Sequence, residues 1–385
     1  MLRLLHIKTV AQSLRFLRGQ PQFFGQRGIQ MEAITSPGPL VEPMSRDLGI
    51  PVHTVTMPRQ ITPIRDLGAL ACLIAKIRSI DPDIVHGHTP KGGLLAMLAA
   101  TAAGVDARVY HMRGLPMETA TGLKRTLLQT TETISCALAH QVIAVGHSLR
   151  DLAIEDGLCP ASKIDVMGHG SGQGVDADHT FNPRRFDDAH RNRIRDQFHI
   201  PHDADVIGFV GRLVADKGIN ELAHAFDALR QDHPNAHLLV VGPFEERDPV
   251  PPSIRALLEE DPRIHLAGYQ SQVDELYPAM DIVALPTHRE GFPNVPLEAA
   301  AMELPVVVSD ISACLETIDA GRTGLYFPVG DPIALAEQLV TYLDDPALRR
   351  QHGQAGRARA QKLFAPHRIW HDLEGVYRQL DPQST

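Results

Sequence analysis

Short, wholly apolar runs alternate with longer stretches of helical periodicity over roughly the first 170 residues, stop at a glycine-rich tract, and then begin again. This doubled alternation limits the fold more than any other feature. The apolar runs at 3–7, 31–35, 53–55, 84–86, 109–111, 142–145 and 164–167 read as strands, with helices at 63–80, 92–103 and 123–139 between them. Strands that are apolar on both faces and separated by helices belong in a parallel sheet covered on both sides. The polar, glycine-rich tract from Gly168 to Asp176 falls where a domain boundary belongs. The pattern resumes with strands at 206–210, 237–241, 264–266, 282–285 and 306–308, and helices at 217–230, 252–259, 273–279, 295–302 and 332–343. The tail from 346 to 380 reads as helical, anchored by Trp370 and Tyr377.

The expected fold class is therefore α/β, with two doubly wound Rossmann-like domains at 1–170 and 205–365. A linker region is expected at 171–204, and a C-terminal helix at 366–385, placed to pack back toward the first domain. Ligands of such sheets bind beyond the carboxyl ends of the strands, so a cleft between the two sheets is part of the expectation. A length of 385 residues suits two domains. No apolar run reaches the roughly 18 residues that span a bilayer. The opening segment turns polar too soon for a signal peptide. Four scattered cysteines, with no CxxC pair, suggest neither a zinc site nor a disulfide framework, and a reducing cytoplasm is expected.

Charge is divided unevenly. Residues 1–170 carry 17 Lys and Arg against 13 Asp and Glu, whereas the remainder carries 20 against 33. So small a basic excess argues against nucleic acid as a partner. An anionic acceptor or membrane surface would favour the first half; ordinary solvated faces account for the same numbers.

Two segments of the second half carry candidate chemistry. The strand at 282–285 runs into Pro286-Thr-His-Arg-Glu290-Gly-Phe-Pro-Asn-Val-Pro-Leu-Glu298 and then a helical run. Asn294 suits an N-cap and Pro296 a first turn, which would set a helix N-terminus at a strand's mouth, where a phosphate is stabilised. Glu290 and Glu298 flank that position as carboxylates able to bind hydroxyls, although a merely structural capped helix has the same pattern. The strand at 206–210 runs into Gly211-Arg212-Leu-Val-Ala-Asp-Lys217-Gly218, which brings two cations to a strand's carboxyl end. Arg212 can fork onto phosphate oxygens and Lys217 can act as a point charge. Surface charges at such a place are also common.

Gly211-Arg212 with Lys217-Gly218, followed by Glu290 and Glu298, resemble the GT-B retaining glycosyltransferases of family four, the group 1 glycosyltransferases. The resemblance extends over nearly the whole chain. It implies that Arg212 and Lys217 bind a donor diphosphate, with Gly211 beside them. The backbone around Gly291, Phe292, Asn294 and Val295 would reach phosphate and sugar. Glu290 would hold a donor sugar hydroxyl, Glu298 the ribose, and Gly268 and Tyr269 would lie beside the base. In the first half, 13–20, Asp83-Ile-Val-His-Gly-His-Thr-Pro-Lys91 and Gly114-Leu-Pro are similar to the branch that extends exopolysaccharide or lipid-linked glycans.

The chain departs from the family pattern twice. Thr9-Val-Ala-Gln-Ser13 stands where many members have a glycine pair, and Arg113 stands where many have a His before a glycine. His111 lies two residues earlier, on the same face of an extended chain, so either residue could serve the donor sugar. His86 and His88 also share a face and could begin a metal site, but no third ligand is evident in the sequence and no metal is expected. Asp81-Pro-Asp83 mimics a metal-binding DxD but precedes a strand and reads as a turn.

The resulting expectation is a cytoplasmic, retaining, metal-independent hexosyltransferase that takes a nucleotide sugar, UDP-linked by family habit, as substrate with no cofactor. Its acceptor would be a glycan or polyprenyl-linked glycan. Alternatives are a nucleotide-sugar epimerase on the same two-domain plan and a catalytically inactive nucleotide-sugar binder. A dinucleotide-dependent oxidoreductase would need G-x-G-x-x-G between strand and helix, and the first strand leads into a segment with no glycine. Residues 13–27 mix Leu14, Phe16, Leu17, Phe23 and Phe24 with Arg15, Arg18 and Arg27 and no acid. That mixture suits reversible contact with an anionic membrane at its inner face. The same five apolar residues equally suit a buried helical stripe.

Overall fold

The computed structural model describes residues 1–58, 62–245 and 248–381. The end of the expected tail segment, 382–385, lies outside the described residues. The chain forms two compact units, Met1–Gln173 with Pro366–Thr385, and Gly174–Ala365.

The first unit holds strands β1 (Leu2–Ile7), β2 (Ile29–Thr35), β3 (Val52–Thr54), β4 (Ile84–His88), β5 (Ala107–Met112), β6 (Gln141–Ala144) and β7 (Ile164–Val166). Their order is β3-β2-β1-β4-β5-β6-β7, with every pairing parallel. The second unit holds β8 (Asp205–Val210), β9 (Ala236–Val241), β10 (Ile264–Gly268), β11 (Ile282–Leu285), β12 (Val306–Ser309) and β13 (Gly324–Phe327). Their order is β10-β9-β8-β11-β12-β13, again all parallel. Each sheet grows in one direction and then reverses, between β1 and β4 in one unit and between β8 and β11 in the other. A doubly wound sheet opens its crevice at such a reversal, beyond the carboxyl ends of the two central strands.

Strand periodicity divides the second unit's core. Ile207, Phe209, Leu238, Val240, Ile282 and Ala284 pack on one side of the sheet, while Val206, Val210, Leu239, Val241, Val283 and Leu285 pack on the other. Both sides are apolar because helices cover both. β13, an edge strand with Tyr326 half exposed, has no counterpart among the strands expected from sequence. The helix expected at 273–279 is two 3₁₀ turns, Val273–Glu275 and Tyr277–Ala279.

Residues 174–204, inside the stretch read from sequence as a linker, belong to the second unit and contain the helix Asp188–Gln197. From that helix Arg195 enters the core fully buried and bonds to Asp281 at 2.9 Å. The helical tail is interrupted at Pro366, whose missing N–H and clash with the preceding residue end the helix before it. The two resulting helices, Pro346–Leu363 and Pro366–Gln379, fall in different units. In the first unit Ile369, Leu373 and Tyr377 complete a core with Leu2, Leu14, Leu17 and Phe24. The apolar side chains of 13–27 are thus largely committed to packing: Leu14, Leu17 and Phe24 are buried, and Phe23 meets Trp370 and His371. Leu14, Leu17 and Phe24 form the buried stripe, while Phe16 and Phe23 keep partial exposure and Arg15 and Arg18 are exposed.

Candidate functional site

Two loops meet at the reversal point of the second sheet, one after β8 and one after β11. Hydrogen bonds tie them together. The Thr287 hydroxyl donates to the Asp216 carbonyl at 3.0 Å, the His288 N–H to the same carbonyl at 2.9 Å, and Arg289 Nη2 to the Asp216 carboxylate at 3.0 Å. Gly218 makes the approach possible. It has φ of 68°, and a Cβ there would sit 1.8 Å from the Pro286 carbonyl oxygen. Only glycine combines that backbone conformation with that contact.

The stitching places Lys217 against Glu290, and the ammonium donates to Glu290 Oε1. The two side chains retain 16% and 18% of their exposure, enough to be reached yet shielded enough for their charges to matter. Arg212 differs in being half exposed, with Nη1 2.8 Å from Glu245. Gly211 donates to the Val241 carbonyl at 2.9 Å, and Gly242 donates to the Gly268 carbonyl at 2.9 Å, so the ends of β8, β9 and β10 form one rim. Tyr269, next on that rim, is 57% exposed.

Asn294 holds the N-cap position of the helix Val295–Ala301, but with helical dihedrals and no side-chain cap bond, and proline opens the first turn. Gly291 is partly exposed, and the Phe292 ring is buried 6.0 Å from that of Phe364. Glu298 accepts from the Tyr277 hydroxyl at 2.9 Å. Burial and the neighbouring carboxylate push the Tyr277 phenol well above its usual range, which keeps it a donor. Sequence reasoning did not find Tyr277; it lies 21 residues from its partner in a 3₁₀ turn with no motif of its own.

The first unit gathers a second set of side chains. Parallel register sets His6 beside His86 and His88 beside His111, all on one face. The rings stack: His86 and His88 have centroids 4.3 Å apart, His88 and His111 5.2 Å, and His6 and His88 5.1 Å. His6 is therefore the third imidazole that spacing along the chain does not reveal, and nitrogens of His6, His86 and His88 lie within 4.8 Å of one another. All four histidines are buried, as is Lys8 just beyond β1. Burial, with the charges of Lys8 and Arg113 as further causes, holds each imidazole well below its usual value. Arg113 reaches the Gly172 carbonyl at 3.2 Å and lies 5.5 Å from the Phe16 ring centroid. The structure thus brings His111 and Arg113 to one place without choosing between them.

Residues 190–359 match the family described as "Glycosyl transferases group 1", and residues 22–170 match a "Glycosyl transferase 4-like domain". The chain is 33% identical over 376 residues to the capsular polysaccharide biosynthesis glycosyltransferase CapM of Staphylococcus aureus, covering 97% of this chain and 96% of that one. It is 25% identical to a UDP-Gal:alpha-D-GlcNAc-diphosphoundecaprenol alpha-1,3-galactosyltransferase of Escherichia coli, covering 76% and 74%. In three dimensions it is similar to Anabaena Alr3699/HepE, solved with UDP and glucose, at a TM-score of 0.81 and 19% identity over 98% and 99% of the two chains.

Proposed function

Because the chain belongs to the group 1 glycosyl transferases and has their GT-B fold, we propose that it transfers a hexose-type sugar from a UDP-sugar to a lipid-linked glycan in polysaccharide assembly, with retention and without a metal. The observation that carries this reading is the Lys217–Glu290 pair at the reversal point of the second sheet. Without donor, each neutralises the other. A diphosphate drawn to Lys217 frees the Glu290 carboxylate to accept from sugar hydroxyls, so one event readies both groups. As the glycosidic bond to the diphosphate breaks, negative charge grows on the leaving oxygens, and the Lys217 ammonium and Arg212 guanidinium stabilise it. Donors fixed in advance toward developing charge contribute most when water is excluded. Glu298, held by Tyr277, binds the ribose, and the rim at Gly268 and Tyr269 receives the base. The E. coli relative is named for a diphosphoundecaprenol acceptor, which supports an acceptor of that class.

The reading is tested by incubating the enzyme with a panel of nucleotide sugars and an undecaprenyl-diphosphate glycan, with release of nucleotide followed and the anomeric coupling of the product read by NMR. UDP release coupled to an α-configured product from an α-linked donor is expected. Activity should persist in excess EDTA; loss with EDTA and recovery with Mn²⁺ would reject the metal-free mechanism. Nucleotide binding without release would identify an inactive binder.

No helix among the described residues is long and apolar enough to cross a membrane. A lipid-linked acceptor would then be met at the surface. The helices Pro63–Ile80 and Gly122–Leu138 both pack on Pro90–Ala103, and in a parallel α/β sheet such helices begin at the strands' carboxyl end. Their first two turns expose Ile64, Leu67, Leu123 and Leu127 beside the exposed cations Arg65, Lys124 and Arg125. Flotation should show binding to vesicles containing anionic lipid that falls as salt rises. At about 1 kcal/mol per basic residue, Lys124→Gln with Arg125→Gln should weaken it about 30-fold. Equal binding to neutral vesicles would contradict an electrostatic contact.

A further inference from the structure

Two ion pairs join the loops after β8 and β11, and they are neighbours along the chain on both sides. Lys217 bonds to Glu290, and Asp216, one residue earlier, bonds to Arg289, also one residue earlier. The signs are crossed, so each loop contributes one cation and one anion. Asp216 and Lys217 share the 3₁₀ turn Ala215–Lys217, in which three residues complete a turn and successive side chains leave about 120° apart. One contact would leave such a turn free to pivot about it. Two contacts in different directions fix its orientation, and the Asp216 carbonyl, which accepts from the Thr287 hydroxyl and the His288 N–H, fixes its distance from the second loop. Thr287 is fully buried, and the Ser309 hydroxyl holds its carbonyl at 2.5 Å, so the second loop is itself anchored to the end of β12.

The two pairs differ in what the donor does to them. In the mechanism above, a diphosphate draws Lys217 off Glu290, so a bond that joins the loops in the free protein is given up in the loaded one. Lys217 must then stay on the diphosphate while Glu290 holds the sugar, and their own attraction no longer sets the distance between them. That mechanism makes no demand on Asp216 and Arg289. Their side chains are 42% and 28% exposed, against 16% and 18% for Lys217 and Glu290, so they form the pair nearer solvent. An ion pair this exposed contributes little to stability. Its effect is geometric, because a displacement of about 1 Å among reacting groups can cost about 10²-fold in rate.

We propose that Asp216 and Arg289 are positioning residues for the transfer: their ion pair holds the two loops in register after the donor has separated Lys217 from Glu290. Neither residue touches the reacting atoms. The proposal rests on the Lys217–Glu290 reading, because the latch acts only through that pair.

The test uses the full chain and the nucleotide sugar that the native protein turns over fastest in the panel above, with kcat and KM from nucleotide release and Tm measured without donor. Arg289→Gln and Asp216→Ala should each lower kcat by roughly tenfold with KM for the donor nearly unchanged, the signature of an interaction that counts in the transition state alone. Tm without donor should fall by no more than about 4 °C, because Lys217 still bonds Glu290 in the free protein and an exposed pair adds little. Arg289→Gln combined with Asp216→Ala should be no slower than either alone, as expected when two residues act as one pair. Arg289→Gln combined with Lys217→Ala should be little slower than Lys217→Ala, because the ammonium that the latch keeps on the diphosphate is gone. A general loss of packing would instead add the same cost in both backgrounds. The proposal is overturned if Arg289→Gln lowers turnover while Asp216→Ala does not, which would make Arg289 a donor-binding group in its own right. Additive losses in the combined variants overturn it too, as does an unchanged kcat in both single variants while Lys217→Ala loses turnover. Unchanged turnover in Lys217→Ala would instead overturn the reading beneath the proposal, so the two failures are told apart.

Discussion

Lys217→Ala is expected to lower turnover at saturating donor by about 10²-fold or more, the cost of removing one fixed donor to charge that develops in the transition state. Two effects combine in this variant. The leaving diphosphate loses its least exposed cation, and Glu290 is left without the ammonium that now bonds it. Lys217→Arg should recover only part of the loss, because a planar fork does not replace a compact point charge in a loop fixed by Gly218 and Pro286. Arg212→Ala should act in the same direction. Its guanidinium is half exposed and already paired with Glu245, however, so the decrement should be the smaller of the two. Glu298→Ala should chiefly weaken nucleotide binding. The measurement is kcat and KM for each variant by nucleotide release. Small and equal changes in all three would remove this loop pair from the donor site.

The second large effect is on stability. Asp281 precedes β11 and holds three groups: Arg191 Nη2 at 2.8 Å, Arg195 Nη2 at 2.9 Å and the Val206 N–H at 2.8 Å. Arg195 also donates to the carbonyls of Ala279, His202 and Ala204. Its burial lowers its affinity for a proton, and Asp281 is the first influence that opposes this. Asp281→Ala leaves that guanidinium buried without its anion, which costs about 3–5 kcal/mol. Urea unfolding should show the transition midpoint falling by that amount divided by the slope of the transition, with the slope itself nearly unchanged. Arg195→Met, which removes the charge and keeps an apolar stem, should cost less. A loss under about 1 kcal/mol for Asp281→Ala, the range of a surface pair, would mean that the network is solvated.

What the sequence made legible was what is local. Each of the loops 211–218 and 286–298 follows its own strand without interruption, so residue type and position could be read together, and β8 and β11 prove to be the central strands. The βαβ pattern was equally plain because both faces of each sheet are apolar. What stayed hidden depends on register between distant segments. His6 lies beside His86 only because β1 pairs with β4. Tyr277 meets Glu298 only once a 3₁₀ turn is placed. β13 is four residues long, and its Tyr326 faces solvent, too little pattern to stand out. In 13–27 the sequence does not say what Leu14, Leu17 and Phe24 pack against, because their partners Ile369, Leu373 and Tyr377 lie in the final helix. The epimerase and oxidoreductase alternatives fall with the family assignment.

The return of Pro366–Gln379 to the first unit has a consequence for how the chain is made. A ribosome delivers residues 1–173 first, yet Leu14, Phe24 and their neighbours wait for Ile369, Leu373 and Tyr377, which emerge last. Residues 174–365 form a continuous unit and can fold as soon as they leave the exit tunnel, domains generally folding as units during synthesis. For all that time the nascent amino-terminal unit has an apolar face without its cover, a natural place for a chaperone to hold. Vectorial synthesis therefore begins this unit first and completes it last, and a stop codon a few turns early would leave a folded second unit joined to an unfinished first one.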